Sequence, residues 1–311
     1  MRIICMGTPE FSIPTFEALR EAGHDIVAVV TMPDKPAGRG KKLRPSPVKV
    51  YAEEHGVEIL QPVKLRDPEF VARLNELKPD LAVVVAFRML PEMVWSVPTI
   101  GTINLHAALL PDYRGAAPIN WAIINGETKT GVTTFFIDDK IDTGEIILQE
   151  ETSISDDETV GMLHDKLMFL GADLVLKTVD LIKTGNVTTT KQPPLEEKSA
   201  PKLYPENCKI DWSDSLDHIY NKIRGLNPFP AAWSIIKNDD DEILVKIYAV
   251  KKEREKHQHP IGKIIATKKE IKVAVKNGCI RIDEIKLASK KKMDARSLLN
   301  GFTFSTKAKM I

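Results

Sequence analysis

The sequence predicts an α/β protein, with a doubly wound, mostly parallel sheet followed by a second, smaller β-rich domain. Three observations carry this expectation. Up to about residue 105, short apolar runs alternate with helix-period segments. Residues 184–207, rich in Pro, Thr and charge, then break the pattern and read as a linker. Beyond them the apolar runs are short, closely spaced and separated by turn residues. A chain of 311 residues has room for two domains, expected at 1–183 and 208–311 on either side of that linker.

In order, residues 2–6 (RIICM), 25–31 (DIVAVVT), 57–60 (VEIL), 80–86 (DLAVVVA) and 101–105 (GTINL) are apolar without strict alternation. Strands covered on both faces have this pattern. Helical patterns lie between them at 12–22, closed by Gly23, at 47–55, closed by Gly56, and at 67–77. The last opens with Asp67 as N-cap and Pro68 at the first helical position. Residues 130–137 and 144–149 suggest a hairpin-like pair around DDKIDT, and a long helix is expected over 156–183. After the linker come a helix at about 214–225 and β runs at 243–250, 261–267, 270–275 and 279–287, which suit a small barrel or sandwich.

Composition narrows the function. No apolar run nears the roughly 20 residues needed to span a bilayer, and the opening MRIICMGTPE has no signal-peptide pattern. Cys5, Cys208 and Cys279 are far apart and form no C-x-x-C, so neither a disulfide scaffold nor a zinc site is expected, and a reducing cytoplasm fits. The net charge is only +1, yet from Ile243 onward eighteen Lys and Arg face six Asp and Glu. That asymmetry suits a polyanionic partner for the C-terminal part. Between the second strand and the second helix lies MPDKPAGRGKKLRPSP, far longer than the usual connection of about 2–6 residues. Its Lys35, Arg39, Lys41, Lys42 and Arg44 follow the carboxyl end of a parallel strand, where open α/β sheets bind ligands. Such a loop is either a solvated basic connector or an arm for phosphates.

The most informative stretch is INLHAALLPDYRGAAP, residues 103–118. Asn104 and His106 are two apart, so on a strand they share a face. A carboxylate is available nearby in IDDKIDTGE, at Asp138, Asp139 or Asp142, the last of these preceding a Thr-Gly turn. An amide, an imidazole and a carboxylate suit attack of a nitrogen on a carbonyl. The first two can donate to a developing oxyanion, and the third can hold the imidazole or help remove a proton. There is no G-x-S-x-G and no H-E-x-x-H, and His257 and His259 in EKHQHP have no companion ligands. Direct transfer without a covalent enzyme intermediate and without a metal is therefore expected.

These residues resemble the signature of the 10-formyltetrahydrofolate-dependent formyltransferase family: Asn-x-His, a Leu-Leu-Pro turn, Arg-Gly and Pro, then an Asp-x-Gly segment. Here the Asp is Asp142, 36 residues after His106, and the Gly is Gly144. IICMGTPEFS, PDKPAGRGKKLRPSPVK and IDWS…IRGLNPFPAAW match the same family in order, from about residue 2 to beyond 290. The resemblance implies a Rossmann-like catalytic domain and an OB-fold-like C-terminal barrel that binds tRNA. It implies 10-formyltetrahydrofolate as formyl donor and the α-amine of initiator methionyl-tRNA as acceptor. It makes Asn104, His106 and Asp142 the catalytic set, lays the turn Ala108, Leu109, Leu110 and Pro111 against the folate, and gives Arg39, with Lys41 and Lys42, to the acceptor stem. Ala108 stands where the family usually has Ser. In AFRMLP, one residue shorter than the usual segment, Arg88 replaces a Gly, so the loop beside the pterin is expected to be reshaped.

Three other functions fit the sequence less well. A formyltransferase for a small amine would have little use for the basic loop and basic second domain. A nicotinamide enzyme would need more than the lone glycine of MGTPEF. A non-catalytic RNA-binding protein would be marked by loss of a catalytic residue, and all three are present.

Overall fold

The computed structural model describes residues 1–37, 42–193 and 198–311. Contacts divide the chain into two units. The first comprises residues 1–115, 130–152 and 164–199, and the second comprises residues 116–129, 153–163 and 200–311.

The first unit is built on a sheet of seven strands among the described residues: β1 Arg2–Gly7, β2 Asp25–Val30, β3 Ile59–Leu60, β4 Leu81–Val85, β5 Gly101–His106, β6 Lys129–Phe136 and β7 Ile146–Ser153. Their order is β7-β6-β5-β4-β1-β2-β3. The pairs β1–β2, β1–β4, β2–β3 and β4–β5 are parallel, whereas β5–β6 is antiparallel. A 3-2-1-4-5 parallel order is Rossmann-like, and the chain reverses direction across the sheet between β1 and β4. The run LAVVV of β4 is buried at every position, which is why it shows no alternation.

Three helices follow the expected signals. α1, Ile13–Glu21, α2, Pro47–Glu54, and α3, Pro68–Glu76, all carry Pro in the first turn. Ser46 and Asp67 cap α2 and α3 by accepting from the N–H groups of Lys49 and Glu69. Phe70 and Leu74 of α3 pack with Ile4, Ala28 and Val84 of the sheet. Each large apolar side chain buried this way contributes about 1.5–3 kcal/mol. At the end of β1, Ser12 donates from its hydroxyl to the Val85 carbonyl (2.8 Å), and a side chain at Gly7 would overlap both groups. The Ser12 hydroxyl thus bridges from the end of β1 to the end of β4.

Among the described residues the second unit contains α-helices α4 Pro118–Ile124, α6 Leu216–Gly225 and α7 Ala295–Leu299; the long helix α5, Val160–Lys183, lies between the first two in sequence. The main path of its sheet is β8 Ala232–Asn238, β9 Asp241–Glu253, β10 Ile264–Ala266, β11 Ile271–Val275, β12 Gly278–Leu287 and β13 Lys309–Met310, with the short strand Met293–Asp294 pairing β12 off that path. The order along it is β10-β11-β12-β9-β8-β13, with antiparallel pairing throughout. Bonds from Ile264 N–H to the Ala308 carbonyl and from Met310 N–H to the Gly262 carbonyl bring its two edges together, giving a nearly closed barrel. Irregular register around Ala249 bends β9, the longest strand. Leu216, Ile219 and Ile223 of α6 join Val245, Ile247, Ile280 and Ile282 in one core. Strand β8 and helix α4 were not expected from the sequence. The Pro-rich GLNPFPAAW hides the start of β8, and PINWAII is too short to show a helical period.

His24, between α1 and β2, is 7% exposed, and its pKa is lowered, first by burial and then by the N-terminal ammonium and Lys183. A histidine depressed in the fold is held neutral there and gains a proton on unfolding. Its contribution to stability is present above its ordinary value near 6.5 and is lost as the pH falls below it. The melting temperature should therefore drop between about pH 7 and pH 5, and His24→Gln should flatten part of that slope. Calorimetric scans over that range would refute the assignment if the two slopes coincide.

Candidate active site

Asn104 and His106 occupy the carboxyl end of β5 on one face of the strand, opposite Phe135 and Thr133 of β6. His106 is buried and Asn104 half-buried. Among the described residues no hydrogen bond engages the Asn104 side-chain amide, which leaves two N–H donors free at the strand end.

The segment after β5 folds back over the histidine. Thr133 holds its start: the hydroxyl donates to the Ala108 carbonyl (2.7 Å) and accepts from Leu110 N–H (3.2 Å) and from Gln149 Nε2 (2.9 Å). Ala108 is fully buried and Leu110 nearly so, while Leu109 and Pro111 are half-buried. Tyr113 takes a φ of 61° and points its carbonyl at His106 Nε2, 2.8 Å away. A carbonyl can only accept, so Nε2 carries a proton, and in the uncharged form of the ring Nδ1 is the nitrogen left with a lone pair.

Nδ1 faces Asp142 Oδ2 at 3.8 Å. Of the three candidate carboxylates, Asp142 is the one brought to the histidine. Asp138 instead accepts from the Thr143 hydroxyl (2.8 Å) and Lys140 N–H (3.0 Å), closing the turn. Asp142 has a φ of 55°, and its Oδ2 accepts from Gly115 N–H (2.9 Å). At 3.8 Å it makes no hydrogen bond to the ring, and the Tyr113 carbonyl does the orienting.

Gln192 was not recognised from the sequence. Its Nε2 donates to the Asp142 carbonyl (3.0 Å) and the Gly144 carbonyl (2.7 Å), and its Oε1 accepts from Arg114 Nη2 (2.8 Å). It lies in the polar stretch expected to be a linker, where nothing in the local pattern marks it. Gly144 was recognised, and the reason for a glycine is steric: a side chain there would overlap the Phe136 carbonyl.

Arg88 does not have a positive φ; Ala86, two residues earlier, does, at 50°. The Arg88 guanidinium donates to the carbonyls of Pro62 and Val63, tying the loop after β4 to the loop after β3. A cavity of about 420 Å³ lies between those loops. Of the residues given to the acceptor stem, Arg39 and Lys41 lie outside the described residues, and Lys42 is in the short strand Lys42–Arg44. Among the described residues no cluster of His, Cys, Asp and Glu could hold a metal ion, and no helix is long and apolar enough to cross a membrane.

The formyl transferase family profile matches residues 1–179, and the formyl transferase C-terminal domain profile matches residues 202–303. The methionyl-tRNA formyltransferase of Flavobacterium johnsoniae is 54% identical over 311 residues, covering 100% of this chain and 99% of the relative. That of Bacteroides thetaiotaomicron is 49% identical, covering 100% and 98%. The chain belongs to the methionyl-tRNA formyltransferase family. Among solved structures it is similar in fold to HypX from Aquifex aeolicus in complex with tetrahydrofolic acid, with a TM-score of 0.67, 20% identity and 98% of this chain covered. The chain spans about half of HypX, 48% of its length. It is equally similar in fold to an N-formyltransferase from Helicobacter canadensis in complex with folinic acid and dTDP-3-aminofucose, with a TM-score of 0.67, 19% identity and coverage of 94% and 99%.

As a formyltransferase, the chain should depend on Gln192 for the placement of Asp142. Gln192→Ala is expected to lower kcat about tenfold with little change in KM, and to lower stability by about 1–2 kcal/mol through the loss of its bonds to the Asp142 and Gly144 carbonyls and from Arg114. Steady-state kinetics with a urea titration would test this. An unchanged kcat would make Gln192 merely a loop residue.

Proposed function

We propose that the chain transfers the formyl group of 10-formyltetrahydrofolate to the α-amine of initiator methionyl-tRNA, giving N-formylmethionyl-tRNA for translation initiation in the cytoplasm. The observation that carries this reading is identity of about half, end to end, with methionyl-tRNA formyltransferases. The free Asn104 amide beside His106 and Asp142 supplies groups of the kind the reaction needs.

The folate supplies the activated formyl carbonyl, and the residues present fit it. Asn104 provides an unengaged donor for the carbonyl oxygen, and Leu109 and Pro111 are the members of the Ala108–Pro111 turn with exposed surface to offer. As the neutral amine approaches the formyl carbon, Asn104 donates to the oxygen on which negative charge develops. His106 Nδ1, its lone pair already directed outward by the Tyr113 bond, takes the proton released from the attacking nitrogen. Asp142, 3.8 Å away, favours the resulting imidazolium. The same Nδ1–H can then protonate the departing nitrogen. No step needs a covalent bond to the enzyme.

Asn104→Ala is expected to lower kcat by about 100-fold, the size found when one oxyanion donor is removed. Asp142→Ala is expected to lower it at least about tenfold. Formyl transfer to methionyl initiator tRNA, with free methionine and methionyl elongator tRNA as parallel acceptors, checks both. Near-normal turnover in either variant removes that residue from the mechanism, and absence of transfer by the unaltered protein removes the reading itself.

Arg39, Lys41 and Lys42 are proposed to grip the acceptor stem through its phosphates. Arg39→Ala should raise the KM for tRNA severalfold and reduce the dependence of that KM on salt. An unchanged KM would dismiss the loop.

A further inference from the structure

A cavity of about 600 Å³ lies within the second unit and is lined by aromatic and apolar groups, among them Tyr204, Phe229, Trp233 and Leu244. Phe229 is 80% exposed and Tyr204 54% exposed, which is unusual for rings with no bound partner to cover them. Each aromatic on the polar side has a cation nearby. Lys202 Nζ is 5.4 Å from the Tyr204 ring centre, and Lys209 Nζ is 5.6 Å from that of Trp233. Lys246 lines the cavity and donates to the Pro230 carbonyl (2.9 Å). Trp233 is held by its own bond from Nε1 to the Pro205 carbonyl (2.7 Å), so its ring is fixed before any ligand arrives. No Asp or Glu is among the described residues lining the cavity.

We propose that this cavity stacks unpaired nucleobases of the single-stranded 3′ end of the acceptor tRNA. This rests on the function proposed above and adds a site for it on the second unit. The reasoning is chemical. Exposed rings beside lysines, in a lining without carboxylates, are how proteins hold single-stranded nucleic acid without reading its sequence. A duplex hides its base faces and could engage only the lysines. An acidic or purely apolar polypeptide would leave either the rings or the cations unused.

The test is fluorescence anisotropy of the full-length protein with two RNA hairpins of identical stem, one blunt and one with a short 3′ overhang. The overhang should tighten binding. Phe229→Ala and Tyr204→Ala should each remove about tenfold of affinity for the overhang RNA and none for the blunt stem, equally at low and high salt, because stacking releases few counterions. Tyr204→Phe, which keeps the ring, should bind as the unaltered protein does. Unchanged thermal unfolding is expected for Phe229→Ala because that side chain is largely outside the core. Equal losses with both RNAs, or no loss with either, would overturn the proposal. So would an advantage of the overhang seen only after methionylation, which would put the aminoacyl side chain in the cavity. Formyl transfer by the unaltered protein, measured alongside, separates this outcome from failure of the proposed function.

Discussion

The buried hydrogen bond from His106 Nε2 to the Tyr113 carbonyl decides which nitrogen of the ring is left facing Asp142. A seven-residue return of the chain is needed to make it, and each part of that return is held separately. The Thr133 hydroxyl is saturated by Ala108, Leu110 and Gln149 at the start, and Arg114 bonds Gln192 at the end. Tyr113 and Asp142 both have positive φ without being glycine, a strain of the order of 1–3 kcal/mol apiece. Such strain persists only where surrounding bonds over-determine the backbone, and here they do.

The sheet explains why this return lies beside β5 and not at the reversal between β1 and β4. In a nucleotide-binding sheet that reversal stays open for phosphate. Here Gly7 allows the Ser12 hydroxyl to bond the Val85 carbonyl between the two strand ends. The neighbouring strand end then carries the open polar groups. Antiparallel β6 completes it by setting Thr133 opposite His106, and the turn before β7 returns Asp142 to the same place.

In the second unit, charge and fold answer different needs. Part of the C-terminal surplus of Lys and Arg is engaged in local pairs: Lys252 and Arg254 with Asp217, and Lys292 with Glu284. Exposed pairs of this kind contribute little to stability and remain exchangeable with phosphate. The barrel itself stands on its core of β-branched residues and on the buried chain from Trp212 Nε1 to the Ser234 hydroxyl to the Ile311 carbonyl.

The sequence by itself determined whatever is local or periodic. Apolar runs without alternation marked β1, β2, β4 and β5, and Asp67 with Pro68 marked the start of α3, because burial on two faces and capping leave direct traces in residue order. The spacing of Asn104 and His106 put them on one strand face, the segment IDDKIDTGE offered three carboxylates, and the family resemblance picked Asp142 among them. Only the tertiary structure showed that Asp142 stands 3.8 Å from the ring, that the Tyr113 carbonyl bonds its other nitrogen, and that Gln192 holds the Asp142 carbonyl. Those contacts join residues 7 to 50 apart in the chain through single polar atoms. A hydrogen bond made across a fold imposes no period on the sequence, and so leaves no pattern there to read.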